Sequence, residues 1–350
     1  MRYKIFPVLA WALLLLSACS DWKDVELSNP IDLTGNVNPS DYYENLRTYR
    51  NSDHAIGFGW FGGWNGEGAS MKTQLMGLPD SVDVVSIWGG AFDLTEAKKA
   101  DLKLAQEKKG LKVLVCFIVS DIGDQLTPAG QTPADFWKFK AGDEAGMKQA
   151  VANYANAICD TIDKYGYDGF DFDFEPHYGH NGNIASSAAL TTTFIETLGK
   201  RIGPKSGTGR IPVVDGEPQS LPAATGEYFN YFIVQAYDCS GDTDLDNRLR
   251  RTIANFNGVL DPVDVAKRYV VTENFEKYPT VGGADFTDRY GNRMKSLEGM
   301  ARWSPIINGQ LVRKGGIGTY HMEYEYSVSG YANTYPYLRQ GIRLMNPPAK

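Results

Sequence analysis

Cysteine is scarce in this chain, with four in 350 residues. Cys19 closes an N-terminal apolar run, which leaves Cys116, Cys159 and Cys239. Three thiols cannot all pair, and their apolar or helical neighbours favour buried free cysteines. Histidine is equally rare, with four. His177 and His180 have no third partner at metal-ligand spacing, so neither a metal nor another cofactor is expected. An excess of basic residues is also missing: 35 Lys and Arg stand against 42 Asp and Glu, a net charge of -7. No basic stripe is present to neutralise phosphates, which argues against nucleic acid as a partner. There is no internal repeat and no low-complexity tract. After the first 16 residues no segment is long and apolar enough to span a bilayer. The whole chain is 43% hydrophobic and 12% aromatic, enough to bury a full core.

The N-terminus has its own pattern. Arg2 and Lys4 precede an apolar run from Ile5 to Leu16, too short to span and shaped like a signal-peptide core. Its end, Leu16-Ser17-Ala18-Cys19, resembles a bacterial lipobox, which implies cleavage before Cys19 and lipidation of its thiol. The acidic stretch Ser20 to Glu26 resembles the export tether of surface lipoproteins of the Bacteroidetes. The expected organisation is a signal peptide at 1–18, a lipid-anchored polar tether at 19–39 and one domain at 40–350. The expected location is the bacterial outer membrane, on the cell surface.

From Ser40, a good N-cap residue, the pattern alternates. Apolar, β-rich runs fall at 54–61, 82–88, 111–119, 167–175, 211–215, 228–237, 267–273 and 315–322. Helical patterns lie between most of them, at 94–109, 143–164, 188–202, 244–256, 287–304 and 333–344. Eight strands alternating with helices predict an α/β fold, a single (β/α)8 TIM barrel. An open dinucleotide-binding sheet fits less well, because Gly57-Phe-Gly-Trp-Phe-Gly-Gly63 does not follow the phosphate-turn spacing. Those glycines are expected to let a strand end approach a ligand. In such barrels chemistry sits at the C-terminal strand ends.

The fourth strand reads Tyr167-Asp-Gly-Phe-Asp-Phe-Asp-Phe-Glu175. Side chains alternate across a strand, so Asp171, Asp173 and Glu175 share one face and Phe170, Phe172 and Phe174 the other. The phenylalanines suit the layer under the outer helices; the acids then point into the barrel. Buried unpaired carboxylates are costly, which favours a chemical role over a structural one satisfied by arginines or backbone donors. A calcium loop would need a glycine and a flexible polar stretch where this strand has aromatics.

Here the chain resembles glycoside hydrolase family 18. Asp168, Asp171, Asp173 and Glu175 fill the family motif Asp-x-x-Asp-x-Asp-x-Glu, and the likeness spans about residues 50–345. The resemblance implies substrate-assisted cleavage, in which the 2-acetamido oxygen of an N-acetylated sugar attacks its own anomeric carbon. It implies Glu175 as acid/base, Asp173 as partner of the acetamido N–H, Asp171 as a carboxyl sharing a proton with Asp173, and Tyr237 as donor to the acetamido oxygen. Gln235, Asp238, Tyr320, Glu273 and Asn274 lie at strand ends and are candidate sugar contacts. Trp60, Trp64 and Trp88 could stack on sugars or pack in the core. Tyr320 stands where chitinases of the family usually carry tryptophan. The chitinase Ser-x-Gly-Gly after strand three is replaced by Cys116-Phe-Ile-Val-Ser120. Only about a dozen residues separate Glu273 from the predicted helix at 287, too few for a large insertion. These departures resemble endo-β-N-acetylglucosaminidases, which cut between the two core GlcNAc residues of N-glycans. A chitinase and a non-catalytic glycan-binding barrel are the alternatives. The expected partner is an N-glycan or another GlcNAc-containing oligosaccharide. The segments 121–142 and 177–185 are expected to cover the site.

A Cys19→Ala substitution is expected to abolish lipidation. Expressed in a Gram-negative host, the wild-type chain should enter the detergent phase on phase separation and the variant the aqueous phase; equal partitioning would refute the anchor.

Overall fold

In a computed structural model the described residues are 40–92 and 94–347, so the expected signal peptide and tether lie outside them. Eight parallel strands close into a barrel. They are β1 (Ile56–Phe61), β2 (Val84–Trp88), β3 (Lys112–Ile118), β4 (Gly169–Phe174), β5 (Ile211–Gly216), β6 (Tyr231–Gln235), β7 (Tyr269–Asn274) and β8 (Gly316–Tyr320). Every strand falls within a predicted run or overshoots it by one residue, and the predicted barrel is the observed fold.

Register decides what faces inward. On β4, Asp171 lies beside Cys116 of β3 and Val213 of β5, and Asp173 lies beside Ile118 and Asp215. Ile56, Phe58, Val84, Leu114, Val213, Ile233 and Val270 fill the barrel toward the N-terminal strand ends. This apolar plug forces the polar inward residues into the layers above it. On the other face Phe172 meets Phe194 of helix Ala188–Gly199 at 5.2 Å between ring centroids, and Phe170 meets Phe117 at 5.0 Å. Asp168 belongs to the opposite end of the strand. Its carboxylate accepts from Lys112 Nζ (3.0 Å), Gln106 Nε2 (2.8 Å) and the Val113 N–H (3.0 Å). The first acid of the motif therefore anchors the start of β4.

Two long loops are zipped together. Ser120 Oγ accepts from the Gly182 N–H, Asp121 Oδ1 from the Asn183 N–H, and Asn183 Oδ1 from the Ile122 N–H. The loop after β3 thereby holds the loop after β4, which starts at Glu175.

Three expectations need correction. The helix predicted at 287–304 begins only at Ser296 and ends at Arg302. Before it, Asp285–Thr287 and Arg293–Lys295 form a hairpin. Asp288 closes its turn by accepting from the Tyr290 and Asn292 N–H groups, and Gly291 takes φ 84°. The gap after Glu273 is correspondingly longer than a dozen residues. The β1 glycines also do not meet a ligand. A Cβ on Gly57 would lie 2.4 Å from Ile342 Cδ1, and one on Gly59 would lie 2.5 Å from Met322 Sδ. They admit the C-terminal helix Pro336–Met345 and the turn after β8. The short helices Pro133–Trp137 and Pro262–Arg268 carry too few turns to show a period in sequence.

Phe172→Ala is expected to destabilise the barrel by about 3–5 kcal/mol, since it empties a closed aromatic layer. Chemical denaturation monitored by circular dichroism would measure it.

Candidate active site

The inward positions above the apolar plug carry an unusual density of acid. Asp171 is fully buried, and its Oδ2 accepts from Trp60 Nε1 (2.9 Å) and Ser86 Oγ (2.5 Å). Asp215, at the end of β5, is buried and accepts from Gln235 Nε2 at 3.2 Å. Asp173 is buried between them and the mouth. Each of the three keeps one oxygen with no amide, indole or hydroxyl donor in reach.

Burial first, and mutual repulsion second, decide the protonation. Asp171 is raised to about 6, chiefly by burial, against which its hydrogen bonds from Ser86, Asp215, Cys116 and Trp60 act. Asp215 is raised well above the ordinary range by burial and then by the charges of Asp171 and Asp173. Asp173 is raised well above it by burial and then by Glu175 and Asp171. Carboxyls this close cannot all ionise, so protons are held in common and belong to the group. An oxygen of Asp171 and one of Asp215 lie within 4.8 Å of each other. Asp171 also acts on Asp173, the pair expected to share a proton, through its charge.

Asp215 was not anticipated. In Ile-Pro-Val-Val-Asp-Gly-Glu no acid precedes Asp215 on its strand, and only register beside Asp173 reveals it. Cys116 Sγ, an Asp171 oxygen and an Asp215 oxygen lie within 4.8 Å of one another, a donor set that metals use. Trp60 and Ser86 already donate to one oxygen of Asp171 and Gln235 to one oxygen of Asp215, and these donors partly offset the cost of burying charge there.

Glu175 sits one residue beyond β4 with its side chain 16% exposed, and His180 Nε2 approaches it at 3.9 Å. Gly216 leaves room for it: at φ 86° its Cβ would meet Glu175 Cγ at 2.9 Å and the Phe174 carbonyl at 2.7 Å. Glu217 follows, buried, and accepts from the His177 N–H (2.9 Å) while His177 Nδ1 lies 3.1 Å away. Both loop histidines thus engage glutamates at the mouth. A cavity of about 380 Å³ opens here, bounded by Glu175, Gly216, Glu217, Gln235 and Tyr237.

Tyr320 is the aromatic hub. Its ring stacks near that of Tyr237 (6.1 Å, 28°) and stands edge-on to Trp60 and Trp88, each at 6.0 Å. Burial raises Tyr237 well above its ordinary pKa and Tyr320 to about 12, so both hydroxyls keep their protons and can donate.

The remaining candidates divide. Trp60 is 2% exposed and spends its indole N–H on Asp171, so it braces the acids from within. Trp64 is buried with its N–H on Asp101 and is core. Trp88 is partly buried against Tyr320. Val270 points inward, so Glu273, three residues on, points outward. It is buried, and accepts from the N–H groups of Asp238 and Asn274 and from the Ser296 hydroxyl. That carboxylate is a brace for the strand ends, which corrects its assignment as a sugar contact. Asn274 faces inward, but its Oδ1 caps the Glu276 and Lys277 N–H groups. Asp238 adopts φ 57° and its exposed carboxylate is taken by Lys277 Nζ (2.8 Å) and the Tyr278 hydroxyl, away from the acids. Cys116, Cys159 and Cys239 are free and buried, as expected.

This barrel with its acid cluster is a glycoside hydrolase. The chain belongs to glycoside hydrolase family 18: the family's BT1044-like model matches residues 24–344. It is similar to endo-beta-N-acetylglucosaminidase F2 of Elizabethkingia meningoseptica, 26% identical over 87% of this chain and 85% of that protein. The solved structure of a selenomethionine glutamate-to-glutamine variant of BT1044 is 36% identical, covers 88% of this chain and 93% of its own, and superposes with a TM-score of 0.77. An endo-beta-N-acetylglucosaminidase variant from Cordyceps militaris, solved with fucosyl-N-acetylglucosamine-Asn, shares the fold at 21% identity and a TM-score of 0.58, over 88% of this chain and 97% of that one.

The raised acids set a sign for stability. A carboxyl whose folded pKa lies above its unfolded value supports folding below the unfolded pKa and loses that support as pH rises through the folded one. Asp215→Asn is therefore expected to raise Tm relative to wild type at pH 8 and to change it little at pH 4, by roughly 2–4 °C per kcal/mol relieved, while activity falls. Differential scanning calorimetry across that range measures it; a loss of Tm at pH 8 would contradict the sign.

Proposed function

We propose that this hydrolase is an endo-β-N-acetylglucosaminidase that cleaves the GlcNAc-β1,4-GlcNAc core of N-glycans. The observation that carries this is the grouping of Asp173, Glu175 and Tyr237 at one mouth. A carboxyl and a phenol flanking one semi-exposed acid suit an acetamido group, whose N–H needs an acceptor and whose C=O needs a donor. A relative named for this activity, and a tyrosine at position 320, support the N-glycan over chitin.

In this mechanism Glu175 protonates the glycosidic oxygen as the C–O bond breaks. The acetamido oxygen, oriented by the Tyr237 hydroxyl, bonds to the anomeric carbon and gives an oxazolinium ion. Asp173 accepts the acetamido N–H, and its negative charge offsets the developing cation. The now ionised Glu175 takes a proton from water, which attacks the anomeric carbon and reopens the ring with net retention. Asp171 and Asp215 set how much charge Asp173 carries, because the three titrate together. Tyr320 supplies an apolar floor for the sugar. A lipid at Cys19 would hold this mouth at the outer-membrane surface, near extracellular glycoprotein.

The test uses the soluble form beginning at Ser20, with N-glycosylated glycoprotein and with chitooligosaccharides, read by mass spectrometry. A single GlcNAc left on asparagine is expected; cleavage of chitooligosaccharides alone would reassign the enzyme as a chitinase. Glu175→Gln is expected to lower kcat at least ~10²–10⁴-fold while retaining glycan binding. Near wild-type turnover would remove Glu175 from its role.

A further inference from the structure

Helix Asp242–Asn255 follows β6 and contributes Arg248 and Arg251 to the wall of the cavity at Glu175. The two lie three residues apart and so share one side of the helix. That side is fixed in place: Asn255 Nδ2 donates to the carbonyls of Leu221 (3.1 Å) and Pro218 (3.4 Å), in the segment after β5. Arg248 is neutralised by Asp244, Nε to Oδ1 at 3.0 Å. Arg251 is exposed, and among the described residues no carboxylate pairs with it. An unpaired surface arginine is ordinary by itself. Its place is not, because the chain is acidic overall and the other charged groups of this wall are Glu175, Glu217 and the already paired Arg248. Hydrolysis of a neutral glycan core calls for no guanidinium there.

A guanidinium offers a planar fork of donors that matches a carboxylate, and it stays charged at every relevant pH. We propose that Arg251 is a specificity residue for a carboxylate carried by the substrate. The inference rests on the proposed glycosidase activity. Glu175 must reach the scissile oxygen, so a cavity containing it meets the substrate at the bond that breaks. The carboxylate has two sources: an acidic side chain of the polypeptide beside the glycosylated asparagine, or an acidic sugar capping a glycan arm. The bond that breaks lies one GlcNAc from the peptide and several sugars from the tip of an arm, which favours the peptide.

The experiment compares matched pairs of glycopeptides carrying one biantennary glycan. One pair has aspartate or asparagine next to the glycosylated residue; the other has sialylated or asialo arms on the neutral peptide. In wild type the acidic-peptide substrate is expected to have kcat/KM roughly 3–10-fold above its neutral partner. The ratio should fall to about 1 in Arg251→Ala and below 1 in Arg251→Glu, and it should shrink in high salt. A preference confined to the sialylated pair, lost in the same variants, would keep the carboxylate site and move its source to the glycan. Ratios of 1 for both pairs in wild type, or a preference that survives Arg251→Glu, would overturn the proposal. Cleavage of the neutral asialo glycopeptide reports the glycosidase activity separately. The same ratios read as Kd on the Glu175→Gln protein decide the role of Arg251 even where no glycan is cut.

Discussion

Three carboxyl groups buried inside one barrel govern the rest of this structure. Asp171, Asp173 and Asp215 are all removed from water, and burial is the largest cause of each raised pKa. In a medium of low polarity two adjacent carboxylates repel strongly, so the group retains protons at pH values where free acids have lost them. The neighbouring side chains follow from that. Trp60 and Ser86 donate to Asp171, and Gln235 donates to Asp215. Tyr320 and Tyr237 close the layer above with rings whose hydroxyls also stay protonated. Glu175, at the rim, keeps access to water and to a bound substrate.

Such a site is costly to the fold, and the barrel offsets it elsewhere. The lower interior is a continuous apolar plug, the outer face of β4 is aromatic, and β4 starts on the ion pair of Asp168 with Lys112. The motif therefore mixes two tasks. Its first acid secures the strand, its middle two form the proton-sharing group with Asp215, and its last stands at the mouth. Glycine at 216 completes the arrangement, because any side chain there would displace Glu175.

Much of this was legible in the sequence, for reasons tied to particular residues. Eight β-rich runs with helices between them fixed the barrel, and strict alternation on β4 put the phenylalanines outside and the acids inside. Parity also explains what failed. Glu273 and Asn274 are adjacent, so only one could face the lumen, and the strand end by itself did not say which. Asp215 had no acidic neighbour at spacing two before it, and its importance comes from pairing across β4 and β5. Trp60 looked like a sugar platform from its place near a strand end, yet its indole N–H belongs to Asp171. The helix expected at 287–304 lost its first half to a hairpin turn that Asp288 and Gly291 stabilise, a local preference stronger than the apolar period around it.

In the proposed mechanism Asp173 and Tyr237 prepare the substrate's own acetamido group as nucleophile, and no protein carboxylate attacks the sugar. The most direct measurement compares kcat for two core glycans that differ only in the acyl group of the GlcNAc whose bond is cut, acetamido against trifluoroacetamido. Fluorine withdraws electron density from the carbonyl oxygen and leaves the protein unchanged. A fall of several orders of magnitude is expected. Comparable rates for the two substrates would contradict the account and turn attention to a carboxylate of the mouth as the nucleophile.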